Sequence, residues 1–338
     1  GVWIMAYTTI DNPELYFQCK LYSGNGSTTN AITFDVTDTS MQPDMVWNKD
    51  RGAANWHNIT DSVRGHSKEL YPNATNAEGT NAYVKSFDSN GFTIGSAGSD
   101  VNASGNNYAS WCWKESATAG FDIISYTGNG SVRNLSHSLS AVPEFILVKN
   151  REGTGGWVTY HAGVASDAET DYLMLNNNSA VGDYADYWND TAPTSSVITL
   201  GTDSNTPNGS GNDMIMYAFT SKQGFSKCGS YTGNGNANGA TVWCGFSPAF
   251  VLIKSTASGV WRLWDNKRDS INPNTANFQT NAADAEYDHS SVSIDFLSEG
   301  FKLRATDSSF NGSGVKYIFY AVAEAPFVNS KGVPCNAR

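Results

Sequence analysis

The sequence has few charged residues for its length, and this scarcity excludes several classes of protein. Only 16% of the 338 residues are Asp, Glu, Lys or Arg, against ~25% in an ordinary soluble domain. Helix formers such as Glu, Lys and Arg are scarce while Gly, Asn, Ser and Thr are abundant, which excludes a helical bundle or coiled coil. Disorder is excluded because 12% of the residues are aromatic, and disordered segments lack aromatic residues.

Cysteine is also rare, and no CxxC pair occurs among the five cysteines, which are Cys19, Cys112, Cys228, Cys244 and Cys335. The spacing therefore gives no support to a zinc or redox site, and we predict no metal and no cofactor. We expect reduced thiols, as in a chain folded in a cytoplasm. A disulfide between Cys228 and Cys244, across one hairpin, is the alternative.

Basic residues are outnumbered, and long apolar runs are missing. The 21 Lys and Arg residues face 32 Asp and Glu residues, which gives a net charge of −11. Because an acidic chain repels a polyanion, we expect no nucleic-acid partner. No run approaches the ~18 apolar residues of a membrane-spanning helix, so we expect no membrane insertion.

What the sequence does contain is a threefold internal repeat with a period of about 100 residues. A Tyr-x-Gly-Asn-Gly segment, an apolar run from Pro to Lys, a Trp and an Asn-x-Ser-Gly segment follow one another in the same order three times. We therefore predict three homologous units at 16–118, 119–221 and 222–328, preceded by an irregular arm at 1–15 and followed by a tail at 329–338.

Within each unit the patterns predict antiparallel strands. Turn residues recur every 8–12 positions between runs of strand formers, which is typical of a β-sandwich or jelly roll. The predicted fold class is all-β, with three tandem sandwich-like or jelly-roll-like repeats. We expect Tyr16–Tyr22 to pair with Ala31–Val36 through the Gly-Asn-Gly turn, and late hairpins to turn at Asn90-Gly91 and Glu299-Gly300. Short helical turns are predicted within 165–176 and 282–287.

Several segments together resemble a family of virion proteins from marine bacteriophages that infect picocyanobacteria and abundant ocean bacteria. The resemblance covers about 6–327. It rests on the opening 6–18, the Tyr-Thr-Gly-Asn-Gly turns and the segments 61–64, 86–92, 108–114 and 143–151. The family is usually described as tail-fibre or structural proteins, and the resemblance implies location in the virion. It carries over no catalytic or binding residue.

Motifs of catalysis are missing from the sequence. It contains no GxSxG, no HExxH, no phosphate-binding loop and no dinucleotide fingerprint. The five histidines occupy no common position in the repeat. A glycan hydrolase with paired carboxylates would be the residual enzyme. It would draw on Asp61, Asp183, Asp186 or Asp265, but nothing in the sequence pairs them, so we predict that the protein is not an enzyme.

The recurrent tryptophans, Trp56, Trp157 and Trp261, follow the repeated lysines by seven or eight residues and have two interpretations. The favoured one is that each Trp fills the core or covers a sheet face. The alternative is that each Trp stacks on a sugar ring, with a neighbouring side chain such as His161 donating hydrogen bonds.

The pairs Lys49/Arg51 and Lys149/Arg151 end a buried strand, and the third unit lacks the matching Arg. The favoured interpretation is that these cations extend to solvent. The alternative is contact with an anion, either a lipopolysaccharide phosphate or an acidic neighbouring subunit. Acidic loops such as 183–190 and 284–288 match no defined calcium loop, so solvated loops are favoured.

These patterns favour a virion structural protein, a tail-fibre or appendage subunit that contacts the host surface. The expected partners are copies of the same chain, with a trimer favoured, other virion proteins through residues 1–15, and a host-surface glycan. A capsid-decorating protein without a ligand is the second hypothesis. A carbohydrate-binding, lectin-like module is the third.

Overall fold

The computed structural model of the protein describes residues 6–35 and 39–335, and nearly all regular structure in them is β-strand. The first repeat contains β1 (Phe17–Ser23), β2 (Asn30–Thr33), β3 (Met45–Asp50), β4 (Asn58–Asp61), β5 (Val84–Asp88), β6 (Gly91–Ile94) and β7 (Asn107–Trp113). The second contains β8 (Phe121–Thr127), β9 (Arg133–Ser136), β10 (Phe145–Asn150), β11 (Val158–His161), β12 (Asp171–Met174), β13 (Gly182–Asp183), α1 (Ala185–Trp188), β14 (Val197–Leu200) and β15 (Asp213–Phe219).

The third repeat follows the same plan with a longer closing strand. It contains β16 (Ser226–Thr232), β17 (Thr241–Trp243), β18 (Phe246–Ser255), β19 (Trp261–Asp265), β20 (Ala276–Gln279), β21 (Tyr287–Asp288), β22 (Ile294–Leu297), β23 (Gly300–Leu303) and β24 (Lys316–Pro326). Two short 3-10 helices, Pro13–Leu15 and Ala168–Thr170, complete the regular elements of the described ranges.

Each repeat is a sandwich of two antiparallel sheets, so the predicted fold class is confirmed. The inner sheets have the orders β1-β7-β3-β4, β8-β15-β10-β11-β12-β13 and β16-β24-β18-β19-β20-β21. The outer sheets have the orders β2-β6-β5, β9-β14 and β17-β23-β22. The Pro-to-Lys runs lie inside the inner sheets as β3, β10 and β18, and every residue of these strands is buried. Continuous apolar runs are expected of strands covered on both faces.

The three inner sheets share one core instead of three separate ones. Aromatic rings of different repeats contact one another there: Trp113 lies 5.4 Å from Phe250 and 6.4 Å from Phe219, between ring centroids. Phe219 in turn lies 4.9 Å from Tyr320 of the third repeat. All three pairs of repeats are therefore in contact, and the chain closes on itself as a three-membered ring. Burial of these large aromatic side chains stabilises the contacts between the repeats.

The two Gly- and Asn-rich motifs of each repeat turn out to bind each other. In the second repeat, the buried Asn208 accepts a hydrogen bond from the Asn129 backbone at 3.0 Å and donates to the carbonyls of Ser131 and Gly201. Asn102 and Asn311 make the matching bonds in their repeats. A Cβ atom on Gly128 would lie 2.2 Å from the carbonyl oxygen of Gly209. The first motif therefore needs glycine at this contact.

This contact explains why one predicted hairpin is wrong. Strand β1 pairs with β7 and strand β2 pairs with β6, so Tyr16–Tyr22 does not pair with Ala31–Val36, whose last residue lies outside the described range. The Gly-Asn-Gly turn carries the chain from the inner sheet to the outer sheet. The late hairpins are confirmed, with Asp88 opposite Gly91 and Leu297 opposite Gly300.

The structure corrects one further prediction of local structure and confirms another. Residues 282–287 contain no helical turn, because the Glu286 backbone N–H bonds to the carbonyl of Arg51 in the first repeat. Residues 165–176 contain the 3-10 helix Ala168–Thr170, so the short helical turn predicted there is confirmed. In the third repeat, β18 begins at Phe246, and Pro248 lies within the strand at a shift in register.

Both ends of the described chain pack on the body. Ile10 is buried, and the Tyr7 hydroxyl donates to the carbonyl of Gly245 at 2.8 Å. Asp11 accepts two hydrogen bonds from Ser330. Residues 6–15 therefore do not extend from the body as a free arm, and their docking on another virion protein stays a prediction. Residues 1–5 lie outside the described range.

Candidate functional site

Two of the three recurrent tryptophans are buried between repeats. Trp157 and Trp261 are at most 1% exposed. The Trp157 Nε1 donates to the carbonyl of Tyr71 in the first repeat, and the Trp261 Nε1 donates to the carbonyl of Met174 in the second, both at 2.9 Å. Neither ring has a face free for a sugar, so the interpretation of these residues as packing residues fits the structure and the stacking interpretation does not.

Trp56 is not the structural equivalent of these two residues. The strand registers place Met45, Phe145 and Phe250 opposite Asp61, His161 and Asp265. The residues four positions before Asp61, His161 and Asp265 are His57, Trp157 and Trp261. The buried His57 packs edge-on against Phe278 of the third repeat. Trp56, one position earlier, is 38% exposed and contacts Tyr71 of its own repeat.

The repeated lysines are fully buried, so the expectation that they extend to solvent is wrong. Lys49, Lys149 and Lys254 are all 0% exposed. Each Nζ donates to two backbone carbonyls, one of the last residue of its strand and one in the turn that follows, as Lys149 does to Asn150 at 2.6 Å and to Gly153 at 2.9 Å. Burial lowers the pKa of each lysine to about 8. These residues stabilise turns and have no free contact for an anion.

Arg151 does contact an anion, but the anion belongs to the same chain. Its guanidinium forms two hydrogen bonds to the carboxylate of Glu78 in the first repeat, at 2.8 and 3.0 Å. Arg64 also bonds to Glu78, at 3.1 Å, and to Asp61, at 2.5 Å. Burial raises the pKa of Glu78, but Arg151 and Arg64 outweigh it and hold this pKa below its usual value. We call the contact between two repeats a seam, and we call these four residues the seam network.

A second copy of the seam network joins the first repeat to the third. Arg51 forms two hydrogen bonds with Glu286, at 2.9 and 2.8 Å, and Arg268 bonds to both Glu286 and Asp265. The remaining seam, between the third repeat and the second, lacks all four charges. Its matching positions are Thr256, Val181, Val164 and His161. A buried charge without its partner is strongly destabilising. A seam is therefore expected to have either all four charged residues of the network or none of them.

An equivalent backbone hydrogen bond crosses each of the three seams. The N–H groups of Glu78, Val181 and Glu286 donate to the carbonyls of Arg151, Thr256 and Arg51. Each repeat therefore contacts the next in the same way around the ring. His161 lies in this third seam, 2% exposed, with Nε2 3.1 Å from the carbonyl oxygen of Phe319, and Lys316 of the third repeat donates to the carbonyl of Val164 nearby. Burial lowers the pKa of His161 to about 4.

Two of the four carboxylates considered for hydrolysis, Asp61 and Asp265, are buried in the two seam networks, each bonded to an Arg three residues later. Among the residues described, no group of three or more His, Cys, Asp or Glu side chains is placed to hold a metal ion. All five cysteines are free thiols, so the alternative of a bridge between Cys228 and Cys244 is not found. The described ranges also include no helix of the length and apolarity needed to cross a membrane.

The most exposed aromatic ring of the described residues lies in the third repeat. Trp243 is 56% exposed and ends β17. It borders an open groove between β17 and β16, whose other walls include Lys227, Ser230 and Thr241. Both strands lie at the edges of their sheets. We call this feature the Trp243 groove. The alternating Thr-Val-Trp segment is its signal in the sequence, but this short pattern does not by itself show which side of the strand faces solvent.

Comparison with known proteins gives a family but no activity. A sequence profile for a domain of unknown function (DUF7483) matches residues 12–326. No curated protein and no solved structure matches the chain.

Proposed function

The chain therefore belongs to the DUF7483 family, and we propose that it is a non-catalytic virion structural protein, a tail-fibre or appendage subunit that contacts the host surface. The sequence resemblance to marine phage virion proteins supports a location in the virion. The ring supplies the physical role, which is that of a rigid body carrying surface loops.

The observation that carries this proposal is how the chain uses its charged groups. The buried Arg, Asp and Glu residues of the seam networks bind one another, and the buried lysines bind turn carbonyls. Catalytic groups need an open cleft and partners poised for a reacting atom. These groups have neither, because they hold the repeats together. A body of this kind suits mechanical and adhesive roles.

The Trp243 groove is the proposed contact surface. An exposed indole beside Ser, Thr and Lys side chains combines a flat apolar face with hydrogen-bond donors, which suits the recognition of a carbohydrate or protein surface. One such contact is weak. Copies on a symmetric appendage would bind far more tightly together than singly.

The expected homo-oligomer remains part of the proposal, but the seams cannot form it. Their groups are already paired within one chain, so assembly into a trimer requires other surfaces. Residues 6–15 pack on the body through Ile10 and Tyr7, so partner virion proteins would meet a folded surface and not a free arm.

The experiment that tests this function is to locate the chain in intact particles. A density map of the virus that encodes the protein should show the ring in a tail appendage, and the symmetry there gives the stoichiometry. Absence of the chain from purified particles would overturn the proposal. A position on the capsid shell would replace it with the decorating role.

Contact with the host is tested separately with the purified chain. Labelled protein should bind host cells, and Trp243→Ala should reduce this binding by about tenfold or more. Tryptophans that become buried in an interface on binding are typical hot spots. Ile271→Ser is the matched control, because Ile271 is the most exposed large apolar side chain of the described residues, at 76%, and lies outside the groove. Equal binding by the Trp243→Ala variant and the unaltered chain would exclude the groove as the contact surface.

A further inference from the structure

The seam between the second and third repeats has a histidine where the other two seams have an aspartate. His161 matches Asp61 and Asp265 in the strand registers. Each of these aspartates bonds to an arginine of its seam network, Arg64 or Arg268. We call the seam that contains His161 the second–third seam. A position that is negative in two seams is therefore neutral in this one, and becomes positive when the imidazole is protonated.

Both ring nitrogens of His161 have hydrogen-bond partners. The Gly163 N–H donates to Nδ1 at 2.9 Å, so Nδ1 is the nitrogen without a proton and Nε2 carries it. Nε2 lies 3.1 Å from the carbonyl oxygen of Phe319 in the third repeat, which accepts this hydrogen bond. The neutral ring therefore joins the two repeats through one donor and one acceptor.

A second proton on this ring conflicts with the packing around it. Bound at Nδ1, the proton would meet the Gly163 N–H, and the hydrogen bond would become a contact between two donors. The surroundings are tight, because a Cβ atom on Gly163 would lie 3.1 Å from Nδ1 and 3.2 Å from the carbonyl oxygen of Gly229 in the third repeat. The ring is 2% exposed and packs against Phe145 at 5.7 Å between centroids. The imidazolium is therefore unfavourable in the closed seam and is favoured where water can reach it.

The charges around His161 act in the same direction. The charged residues on the elements that surround it are Glu144, Glu169, Asp171, Lys227 and Lys316. Burial lowers the pKa of His161, and of these five residues Lys316 lowers it further. The Lys316 Nζ donates to the carbonyl of Val164 across the seam. The hydrogen-bond partners of His161 among the described residues are Phe319 and Gly163, so no carboxylate is placed to pair with the imidazolium.

We propose that protonation of His161 opens the second–third seam while the first repeat keeps its contacts with both neighbours. The imidazolium and Lys316 would place two positive charges at a seam that has no seam network to balance them. The ring of repeats would then open at this seam in acid, because local regions open independently when their own contacts are the weakest.

The other two seams stay closed over the same pH range. Glu78 and Asp265 belong to their networks, and burial raises the pKa of each, but the bonded arginines outweigh burial and hold both pKa values below their usual range. These carboxylates therefore remain ionised. The buried His57 lies at the seam of the first and third repeats, edge-on against Phe278, where Glu286 bonds to two arginines.

The size of the effect follows from two pKa values. His161 has a pKa of about 4 in the closed seam and about 6.5 in water. The open seam therefore binds the proton first as the pH falls. The neutral ring stabilises the closed seam above pH 6.5, and this contribution is lost towards pH 4. Between about pH 7 and pH 5, the equilibrium constant for opening should rise about 20-fold.

Hydrogen exchange of the intact chain tests this inference. The equivalent N–H groups of Glu78, Val181 and Glu286 each cross one seam, and that of Val181 crosses the second–third seam. Exchange is measured by NMR at pH 7 and pH 5 and corrected for the intrinsic pH dependence of amide exchange. Protection of the Val181 N–H should fall about 20-fold, whereas protection of the Glu78 N–H should stay the same.

The matched variants separate His161 from the other titrating groups. His161→Gln retains a polar side chain that does not titrate, so protection of Val181 should lose its pH dependence. His57 titrates in both chains, so its contribution cancels in this comparison. His161→Phe serves the same purpose if His161→Gln fails to fold. His289→Gln, at an exposed histidine, should leave the response of Val181 unchanged.

Three results would overturn the inference. The Val181 N–H could keep its protection at pH 5, or lose it equally in the unaltered chain and in the variants of His161. Alternatively, Val181 and Glu78 could lose protection together, which would indicate unfolding of the whole chain in place of opening at one seam. These measurements use the chain alone, so their outcome is independent of its location in a virion.

Discussion

Arg151 of the second repeat holds Glu78 of the first repeat through two parallel hydrogen bonds, 2.8 and 3.0 Å long. The backbone N–H of Glu78 also donates to the carbonyl of Arg151 at 2.7 Å. A bidentate ion pair of this kind is directional as well as strong. It fixes how two repeats meet, and its copy between Arg51 and Glu286 does the same at another seam.

The first prediction concerns the strength of this pair. Arg151→Met and Glu78→Gln should each lower the free energy of unfolding by about 2–3 kcal/mol, because the remaining partner loses charge-assisted hydrogen bonds at a largely buried position. The double variant should lose less free energy of unfolding than the two single variants lose together, with a coupling energy above about 1 kcal/mol. Urea unfolding of the four chains measures this cycle.

The ion pair between Arg304 and Asp295 is the matched control for this cycle. Its N–O distance is 3.3 Å, and the Arg304 side chain is 40% exposed. Arg304→Met should change the stability by less than about 1 kcal/mol, as is usual for exposed pairs. Additive effects of Arg151→Met and Glu78→Gln would show that the seam pair carries no coupling.

The second prediction concerns the contact between the two repeated motifs. Asn208→Ala removes three hydrogen bonds and leaves the Asn129 N–H and the carbonyls of Ser131 and Gly201 without that partner. We expect a loss of about 2–4 kcal/mol, measured by thermal and urea unfolding. Asn129→Ala, at an exposed position of the same turn, should cost about 1 kcal/mol or less. Similar losses for the two variants would contradict the assigned role of Asn208.

The third prediction concerns acid sensitivity at the seam between the second and third repeats, which has no seam network. His161 has a pKa of about 4 in the folded protein and about 6.5 when unfolded. The unfolded chain therefore binds the proton first as the pH falls. The neutral imidazole contributes stability that is present above pH 6.5 and is lost as the pH falls towards 4. Relative to His161→Gln, the unaltered chain should lose about 2 kcal/mol between about pH 7 and pH 5.

Unfolding titrations of both chains across this pH range measure the difference in their free energies of unfolding. Other groups titrate in both chains, so their contributions cancel in this difference. His161→Phe is a second variant without a titrating group. A parallel pH dependence of the unaltered chain and both variants would show that His161 does not titrate as the structure requires.

The fourth prediction concerns the buried lysines at alkaline pH. Lys254 has a folded pKa of about 8 and an unfolded pKa of about 10.4. Between these values the unfolded chain binds more protons, so the stability rises with pH. Relative to Lys254→Met, the unaltered chain should gain about 2 kcal/mol from about pH 7 to pH 9.5. Lys331→Met, at an exposed lysine, is the matched control for the loss of one lysine from the chain. A constant difference between the chains would count against burial of the ammonium group.

Some features of this protein were determined by the sequence alone. The threefold repeat, the β class and the positions of the late hairpins follow from local patterns, because turn residues and strand formers act over a few positions. The Asn-Gly turn at 90–91 is such a case. The third repeat has no Arg at the position that matches Arg51 and Arg151, and this difference is likewise evident from the amino-acid sequence.

Other features were decided only by the tertiary structure. Arg51 and Glu286 are separated by 235 positions, and no pattern in the sequence around either residue indicates its partner. The sequence suggested that Trp56 matched Trp157 and Trp261, and only the strand register showed His57 in that place. Closure of the ring decides which side chains are covered, because burial depends on what distant segments pack above each strand.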